Sequence, residues 1–366
     1  MECTKEIMHR PYPAQGDREP NAKALSLCPY TILQMNTPTK PTLRERLYMM
    51  RRRNRARKRS VIALIKSHLD SSRYQGYNWW DDHASTFWLP RFIDLHLEPK
   101  KKINLFSCFQ NPLMLIRYYR GVKIFLSGEN LENNELFGFH PRMLDHRIKE
   151  VDLALGFEFN KNPKYYRFPL WIYQNEFISP SASLEDIRTL LERINDPSTR
   201  RGTGRSRFIG QISSHDKGGM RGRLIDLLSP IGQIDCAGRF RHNTDELQEV
   251  YGDDKFKFLA NYRFNLCPEN SLGEGYITEK VFDSIRSGCI PIYWGAYLEP
   301  GILNPKAILR FEEGKEQEFY DRVKELWEDE EAYEQFILEP PFVEGAAERI
   351  WELLEGLRER LAPLVE

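Results

Sequence analysis

The sequence predicts an α/β protein of two domains in which strands alternate with helices. Its 366 residues exceed the size of one ordinary hydrophobic core and fit two domains plus tails. Short apolar runs alternate with segments whose apolar residues repeat at helical spacing, which is the pattern of strand–helix–strand units. One such unit, at residues 264–296, is complete enough to be interpreted element by element.

That unit contains a strand, a loop, a helix and a second strand in succession. Residues 264–267 form a short apolar strand, and a loop with two glycines and an Asn-Ser pair follows it. Thr278 occupies the N-cap position of a helix that Gly288 ends, and residues 290–294 form the second strand. The first N–H groups of a helix have no internal partner and the helix dipole is positive there. Lys280 adds a full charge, so the pattern predicts a phosphate-bearing ligand at this helix start.

The same unit carries a resemblance to a known family. Glu-Asn-Ser, a following tyrosine, Thr-Glu-Lys, an apolar helix and Pro-x-x-Trp-Gly resemble the signature of the α-1,3/4-fucosyltransferases, glycosyltransferase family 10, without a gap over residues 264–295. The resemblance implies a GT-B fold, in which two Rossmann-like domains hold the acceptor sugar and the donor GDP-L-fucose. It is closest to the soluble bacterial type, because no signal peptide and no run of about 18 apolar residues is visible.

The first domain, for the acceptor, is expected at residues 60–175. Its first buried strand is predicted at residues 60–65, a continuous apolar run. Further strands are expected at residues 103–109, 122–126, 151–156 and 168–173, and helices at residues 90–97 and 114–119. A linker is predicted at residues 174–182.

Glu129 follows the predicted strand 122–126 directly. A polar residue at the carboxyl end of a parallel strand faces the crevice in which open α/β sheets bind ligands. An exposed turn glutamate is an equally good interpretation of the residue alone. Members of the family carry Gly-Glu-Asn after this strand, and their glutamate is the proposed catalytic base, so the resemblance favours Glu129 for that role.

The second domain, for the donor, is expected at residues 180–340. Its first helix, at residues 183–194, opens with a capping pattern of Ser183 and Asp186. Further strands are predicted at residues 207–213 and 234–238, and further helices at residues 221–228, 245–251, 316–329 and 331–338. Arg221 follows a glycine pair at a helix start, where a guanidinium suits bidentate phosphate contact. Arg223 could serve equally well on the residues alone, and the family's Met-Arg favours Arg221.

The resemblance also assigns roles to residues of the donor site. It implies phosphate or ribose contacts for Asn270 and Tyr276, ribose hydroxyls for Glu279, and the diphosphate for Lys280. Asn270 could instead cap a turn, and Glu279 could be a first-turn acid favoured by the helix dipole. Glu129, Arg221 and Lys280 are the expected catalytic residues.

The implied reaction is an inverting transfer of L-fucose from GDP-β-L-fucose to a glycan hydroxyl, with O3 of N-acetylglucosamine as the expected position. The product is α-linked. A glycosyltransferase of the same fold that uses another sugar nucleotide, and an inactive nucleotide-sugar-binding protein, remain alternatives.

Trp79, Trp80 and Asp81 are candidates for the acceptor site. Paired tryptophans beside an acid can line a sugar cleft, or they can pack their segment onto the sheet. No strand-borne Asp-x-Asp precedes them, so no metal ligand is predicted. GT-B enzymes bind the diphosphate with side chains and helix ends, so the sequence does not require a divalent metal, although one is possible.

The charge balance and the cysteine pattern argue against two other classes of protein, nucleic-acid binders and zinc proteins. Lys+Arg and Asp+Glu both number 53, so no global charge argues for nucleic acid, and none is expected as a partner. The six cysteines show no Cys-x-x-Cys spacing, which disfavours a zinc site. Cys108, Cys267 and Cys289 lie in apolar contexts and are interpreted as reduced core residues.

The two ends of the chain lie outside the predicted domains. Residues 1–59 are expected to be a disordered leader. Its basic run at residues 43–60 either contacts anionic lipid or nucleic acid, or is a solvated, partly helical segment. Cytoplasmic or peripheral inner-membrane localisation follows as an expectation. Residues 341–366 are expected to form an amphipathic helix that Pro363 stops, packed on the first domain or attached to a membrane.

Overall fold

The computed structural model describes residues 43–77, 87–108, 112–132, 145–201 and 204–366. The chain divides into two compact units, Met1–Arg51 and Arg52–Glu366. Helix α1, Leu43–Leu69, contains residues of both, and all other elements given below belong to the second unit. Trp79, Trp80 and Asp81 lie outside the described residues, as do the first 42 residues of the predicted leader.

The first sheet has five parallel strands in the order β1-β2-β3-β4-β5. They are β1 Tyr74–Tyr77, β2 Ile103–Ser107, β3 Val122–Leu126, β4 Leu153–Gly156 and β5 Tyr165–Arg167. The interior strands are almost continuously apolar and buried, as expected for a parallel sheet that is covered on both faces.

The second sheet also has five parallel strands, in the order β10-β9-β8-β6-β7. They are β6 Arg207–Gln211, β7 Ile234–Cys236, β8 Tyr262–Leu266, β9 Ile290–Tyr293 and β10 Leu309–Arg310. The chain places β7 on one side of β6 and β8 on the other. The loops that leave β6 and β8 therefore diverge at a topological switch point, where open sheets form a crevice.

Helices cover both sheets. After α1 they are α2 Trp88–His96, α3 Leu184–Asn195, α4 Met220–Leu228, α5 Glu246–Glu249, α6 Lys255–Leu259, α7 Glu279–Arg286, α8 Glu316–Glu328, α9 Glu330–Phe336 and α10 Ala346–Val365. The predicted capping box of α3 is confirmed, since Ser183 Oγ accepts from Asp186 N–H and Asp186 accepts from Ser183 N–H. The C-terminal helix is present, and its apolar face packs into the core.

One hydrophobic cluster contains side chains from both halves of the second unit. Trp171 of the first half stacks on Phe282 of α7, with ring centroids 4.1 Å apart and an interplanar angle of 10°. Arg167, at the end of β5, pairs with the buried Glu299 beyond β9. The two sheets thus share a core, and the predicted α/β fold class is confirmed.

The predicted strand at residues 60–65 is wrong, because these residues belong to α1. Val61 and Ile62 are each 47% exposed and Ile65 is 53% exposed. A six-residue apolar run cannot be assigned to strand or helix by periodicity alone. No proline or glycine interrupts the chain from Thr42 to this run, so the helix continues through it.

Two further predictions of secondary structure differ from the structure. Leu170–Ile172 is a short 3-10 helix instead of a strand, and the strand lies earlier, at β5. Pro169 fixes its own φ and lacks an N–H, which favours a helical start over a sheet ladder. Pro363 does not stop α10, which continues to Val365. The domain bounds and the linker stay predictions.

Candidate active site

A cavity of about 300 Å³ lies at the carboxyl ends of the strands. It is lined by Gly128, Glu129, Leu170, Gln174, Ile212, Ser213, Ser214, His215, Arg221, Asn270, Tyr276, Thr278, Glu279 and Lys280. All six residues predicted for catalysis and donor binding are among them. The structure therefore brings together side chains that are up to 151 positions apart in the sequence, from Glu129 to Lys280.

The loop after β3 delivers Glu129 to this cavity. Ser127 Oγ donates to the Glu129 carbonyl oxygen at 2.6 Å, which closes a tight turn. Asn130 Nδ2 donates to the Leu272 carbonyl at 2.7 Å and to Ser271 Oγ at 3.0 Å, which ties this loop to the loop after β8. A Cβ at Gly273 would lie 2.5 Å from Asn130 Nδ2, so only glycine permits this approach.

The Glu129 carboxylate is partly buried and hydrogen-bonded. Tyr276 Oη donates to Glu129 Oε2 at 3.1 Å, and Asn270 Nδ2 lies 3.5 Å from the same oxygen. Burial raises the pKa of Glu129, and the charge of Lys280 and the two hydrogen bonds oppose that rise without cancelling it. The result is a carboxylate that holds a proton more strongly than an exposed one.

Arg221 lies at the start of α4, behind a left-handed turn. Gly219 has a φ of 75°, and the Asp216 carboxylate accepts from Arg221 N–H at 3.1 Å and from Gly222 N–H at 2.7 Å. Asp216 therefore caps the helix. The Arg221 guanidinium donates to the His215 carbonyl and to Asn270 Oδ1, both at 2.5 Å. Its pKa is lowered because it is buried.

Lys280, in the first turn of α7, pairs with a carboxylate that was not predicted from the sequence. Its Nζ donates to Glu269 Oε2 at 3.0 Å and to Thr278 Oγ1 at 2.8 Å. Burial acts to lower the pKa of Lys280, but the charges of Glu269 and Glu279 outweigh it, so the pKa is raised. Thr278 is the N-cap residue, yet its side chain bonds to Glu269 and does not cap the helix.

Sequence reasoning missed Glu269 and Asp216. Glu269 precedes Asn270 in the same motif, so its position was visible, but nothing in the sequence shows that its side chain is completely buried behind Lys280. Asp216 could have been found as an acid ahead of a helix start.

The described parts of the chain hold no group of three or more His, Cys, Asp or Glu arranged to bind a metal. The thiols of Cys108, Cys236, Cys267 and Cys289 are free and buried, as predicted for three of them. Among the described helices, none is both long enough and apolar enough to cross a membrane.

Two family models match two separate parts of the chain. Residues 204–338 match the C-terminal part of glycosyltransferase family 10 (fucosyltransferase), and residues 75–174 match the α-(1,3)-fucosyltransferase FucT N-terminal domain. This chain belongs to glycosyltransferase family 10. The family predicted from residues 264–295 is therefore confirmed, and the second match adds residues 75–174, which contain Glu129.

Relatives of this family 10 chain include two kinds of named fucosyltransferase. The α-(1,3)-fucosyltransferase FucT of Helicobacter pylori is 27% identical over 303 residues, covering 72% of this chain and 59% of the relative. The GDP-fucose protein O-fucosyltransferase 3 of Xenopus tropicalis is 37% identical over 114 residues, which cover 28% of this chain and 24% of the relative. This chain thus spans less than two thirds of the length of either relative.

Solved structures support the GT-B fold of this family 10 chain. A crystal structure of an α1,3-fucosyltransferase matches with a TM-score of 0.52 and 22% identity, over 78% of this chain and 89% of that one. A crystal structure of an α1,3-fucosyltransferase with GDP-fucose matches with a TM-score of 0.50 and 22% identity, over 78% of this chain and 90% of that one. At this identity the likeness establishes the fold.

Proposed function

We propose that the protein is an inverting fucosyltransferase that moves L-fucose from GDP-β-L-fucose to a glycan hydroxyl and forms an α-linked product. The observation that carries the proposal is the pairing of one partly buried carboxylate, Glu129, with two cations, Arg221 and Lys280, in a single cavity of a family 10 chain. A base on one side and cations on the other are what displacement of a diphosphate requires.

Glu129 acts as the general base. The acceptor hydroxyl loses its proton to the Glu129 carboxylate as its oxygen attacks the anomeric carbon of fucose. The elevated pKa of Glu129 makes it a stronger base than an exposed glutamate. Its hydrogen bonds from Tyr276 and Asn270 fix the carboxylate orientation before the acceptor arrives.

Arg221 and Lys280 stabilise the leaving group. The bond from the anomeric carbon to the diphosphate oxygen breaks, and its electron pair leaves with GDP. The guanidinium and the ammonium offset the charge that develops on the diphosphate, so no proton donor is needed. A single direct displacement inverts the anomeric centre. Asn270, Tyr276 and Glu279 complete the donor site, with Glu279 as an acceptor for ribose hydroxyls.

A second cavity, of about 640 Å³, gives room for the nucleoside. Ile212 and Ser214 line both cavities, so the two are neighbours. Asp245 and Glu249 lie along the second cavity and offer carboxylate acceptors, which suit the N–H groups of a guanine. Competition by GDP but not by UDP is expected, and the reverse would favour the alternative of another sugar nucleotide.

The proposed acceptor is a glycan, with O3 of N-acetylglucosamine as the position. The H. pylori relative, named as an α-(1,3)-fucosyltransferase, matches 72% of this chain, whereas the protein O-fucosyltransferase 3 of X. tropicalis matches 28%. A protein hydroxyl is therefore the second candidate. Trp79, Trp80 and Asp81 stay proposed acceptor residues.

Peripheral contact with an anionic membrane is proposed for α1. Its exposed apolar residues Val61, Ile62, Ile65 and Leu69 accompany exposed basic residues at Arg57, Lys58 and Arg59. Vesicles that contain about 30% phosphatidylserine should retain the protein at low salt and release it at high salt. Binding to neutral vesicles alone, or to RNA in preference to vesicles, would contradict this proposal.

The central experiment measures transfer from GDP-fucose to N-acetyllactosamine by the purified protein. Glu129→Gln should lower the transfer rate roughly 10²–10⁴-fold while GDP binding persists. Lys280→Ala should lower the transfer rate and also weaken GDP binding. Glu132→Gln is the matched control, because Glu132 is an exposed turn glutamate of the same loop. GDP binding without transfer would favour the inactive binding protein. The absence of both GDP binding and transfer would overturn the proposal.

A further inference from the structure

Glu269 is a buried acid immediately behind the cavity wall. Its side chain has 0% exposure, whereas the side chain of Lys280, its partner, is 22% exposed and lines the cavity. A buried ionised carboxylate is tolerated only when it is paired and hydrogen-bonded. The contacts of Glu269 therefore indicate what it holds in place.

Within the part of the chain that the structure describes, the carboxylate of Glu269 receives hydrogen bonds from two residues. Thr278 donates from its backbone N–H to Glu269 Oε1 at 2.7 Å and from Oγ1 to Oε2 at 2.8 Å, and Lys280 Nζ donates to Oε2 at 3.0 Å. Lys280 also donates to Thr278 Oγ1 at 2.8 Å. An ammonium has three protons in a fixed tetrahedral arrangement. Two are thus directed at Glu269 and Thr278, and the third remains for a ligand in the cavity.

The backbone contacts of Glu269 explain the spacing of the family signature at residues 264–295. Glu269 N–H donates to the Trp294 carbonyl at 2.8 Å, which fixes the loop after β8 against the end of β9. A Cβ at Gly295 would lie 2.8 Å from Glu269 Cγ and 2.3 Å from Tyr293 Oη. The Glu-Asn-Ser, Thr-Glu-Lys and Trp-Gly parts of the signature therefore meet at this one residue, the first through its own chain, the second at its carboxylate and the third at its backbone N–H.

Several charged groups influence the Lys280 ammonium from different elements. They are Glu269 after β8, Glu279 on α7, Arg221 on α4, Glu129 after β3 and His215 after β6. The Arg221 charge opposes protonation of Lys280, whereas Glu269 and Glu279 favour it. Of these two acids, only Glu269 lies within hydrogen-bond distance of Nζ, since Glu279 Oε1 is 3.9 Å away.

We propose that Glu269 is a positioning residue that fixes the ammonium of Lys280 and directs its remaining proton at the diphosphate of the donor. The proposal rests on the proposed function and deepens it. Glu269 does not touch the substrate and acts only through Lys280.

The test compares Glu269→Gln with the parent protein by two readouts. Nuclear magnetic resonance of ¹³C-labelled lysine, with Lys280→Arg for assignment, follows the titration of Lys280 without a ligand. Titration with GDP between about pH 7 and about pH 11 follows binding. In Glu269→Gln the Lys280 midpoint should fall towards the ordinary value of a lysine. GDP affinity should then begin to decline at a lower pH in the variant than in the parent protein.

Glu299→Gln is the matched control. Glu299 is a similarly buried acid that pairs with Arg167, and it does not line the cavity. This variant should lose stability without changing the pH dependence of GDP binding. Unchanged Lys280 titration in Glu269→Gln, or a loss of GDP affinity that is uniform in pH, would overturn the positioning role. Absence of GDP binding by the parent protein would overturn the proposed function, while the lysine titration would still decide whether Glu269 controls Lys280.

A comparison of single and double variants by their melting temperatures keeps the proposal testable if Glu269→Gln alone does not fold. Lys280→Met leaves a buried carboxylate without its cation and should lower the melting temperature. Adding Glu269→Gln to Lys280→Met should recover part of that loss, because no unpaired charge remains. Equal melting temperatures of the single and double variants would show that the two side chains are not coupled, and would overturn the proposal.

Discussion

Arg221 Nη2 donates to Asn270 Oδ1 at 2.5 Å, and this contact orients the Asn270 amide. With its oxygen bound to Arg221, the amide must present its Nδ2 group to Glu129, where the distance to Oε2 is 3.5 Å. One amide therefore joins the proposed base to one of the proposed leaving-group cations.

Asn270→Ala should reduce transfer because it removes this bridge. Without it, Glu129 and Arg221 each lose a contact that sets their orientation, and misplacement of reacting groups costs roughly 10²-fold in rate. We expect most of the loss in kcat, measured by initial rates at saturating donor.

Asn265→Ala is the matched control for that variant. Asn265 is a buried asparagine on β8 that donates to the Gly210 carbonyl at 2.8 Å, away from the cavity. Its loss should cost about 1–3 kcal/mol of stability and leave the rate of the folded enzyme within about twofold. Equal kinetic losses in both variants would contradict the bridging role of Asn270.

In the pH–rate profile, the rise of kcat/KM on the acid side (the acid limb) should have an apparent pKa above the ordinary value of a glutamic acid. Burial raises the pKa of Glu129, and only the ionised form accepts the acceptor proton, so kcat/KM should rise with pH through this limb. Tyr276→Phe removes a hydrogen bond that favours the ionised form and should move the limb to higher pH. A shift to lower pH, or none, would show that Glu129 does not set the limb.

Gly273→Ala should separate the two loops that form the cavity. The added Cβ would meet Asn130 Nδ2 at 2.5 Å, so either the Asn130 amide gives up its hydrogen bonds to the loop after β8 or that loop moves away from Glu129. We expect a loss of about 1–3 kcal/mol in the free energy of unfolding together with slower transfer. Denaturant titration and initial rates measure the two effects.

The double variant Asn130→Ala/Gly273→Ala tests the cause. Truncating Asn130 removes the atoms that the new Cβ would meet, so part of the stability lost in Gly273→Ala should return. Strictly additive losses would mean that the contact with Asn130 is not what requires glycine at this position.

Phe282→Ala should destabilise the shared core of the two sheets. Phe282 is fully buried and stacks on Trp171, so its truncation should lower the free energy of unfolding by about 3–5 kcal/mol. Leu338→Ala, at a side chain that is 55% exposed, should change it by no more than about 0.5 kcal/mol. A single cooperative transition is expected in both variants, and separate melting of the two halves would contradict a shared core.

Local pattern was sufficient for much of the fold. The strand at residues 122–126 agrees with β3, because five apolar-rich residues are bounded by Gly121 and by Ser127-Gly128. The capping box of α3 was equally visible, since the side chains of Ser183 and Asp186 each accept from the backbone N–H of the other, three residues away. The run at residues 60–65 was misassigned because an apolar run of that length fits a helix and a strand equally well.

The sequence by itself determined the family and the α/β class, and six of the residues that line the cavity were predicted from it. The family follows from residue type and spacing within one strand–loop–helix unit, whereas Glu129 and Arg221 lie in other units and were chosen by the resemblance. Only the tertiary structure decided which groups bond to one another: Asn270 between Arg221 and Glu129, Asp216 at the start of α4, and Glu269 behind Lys280. Pairing and pKa depend on burial and on distances between loops of separate strands, and neither is encoded in any one stretch of the chain.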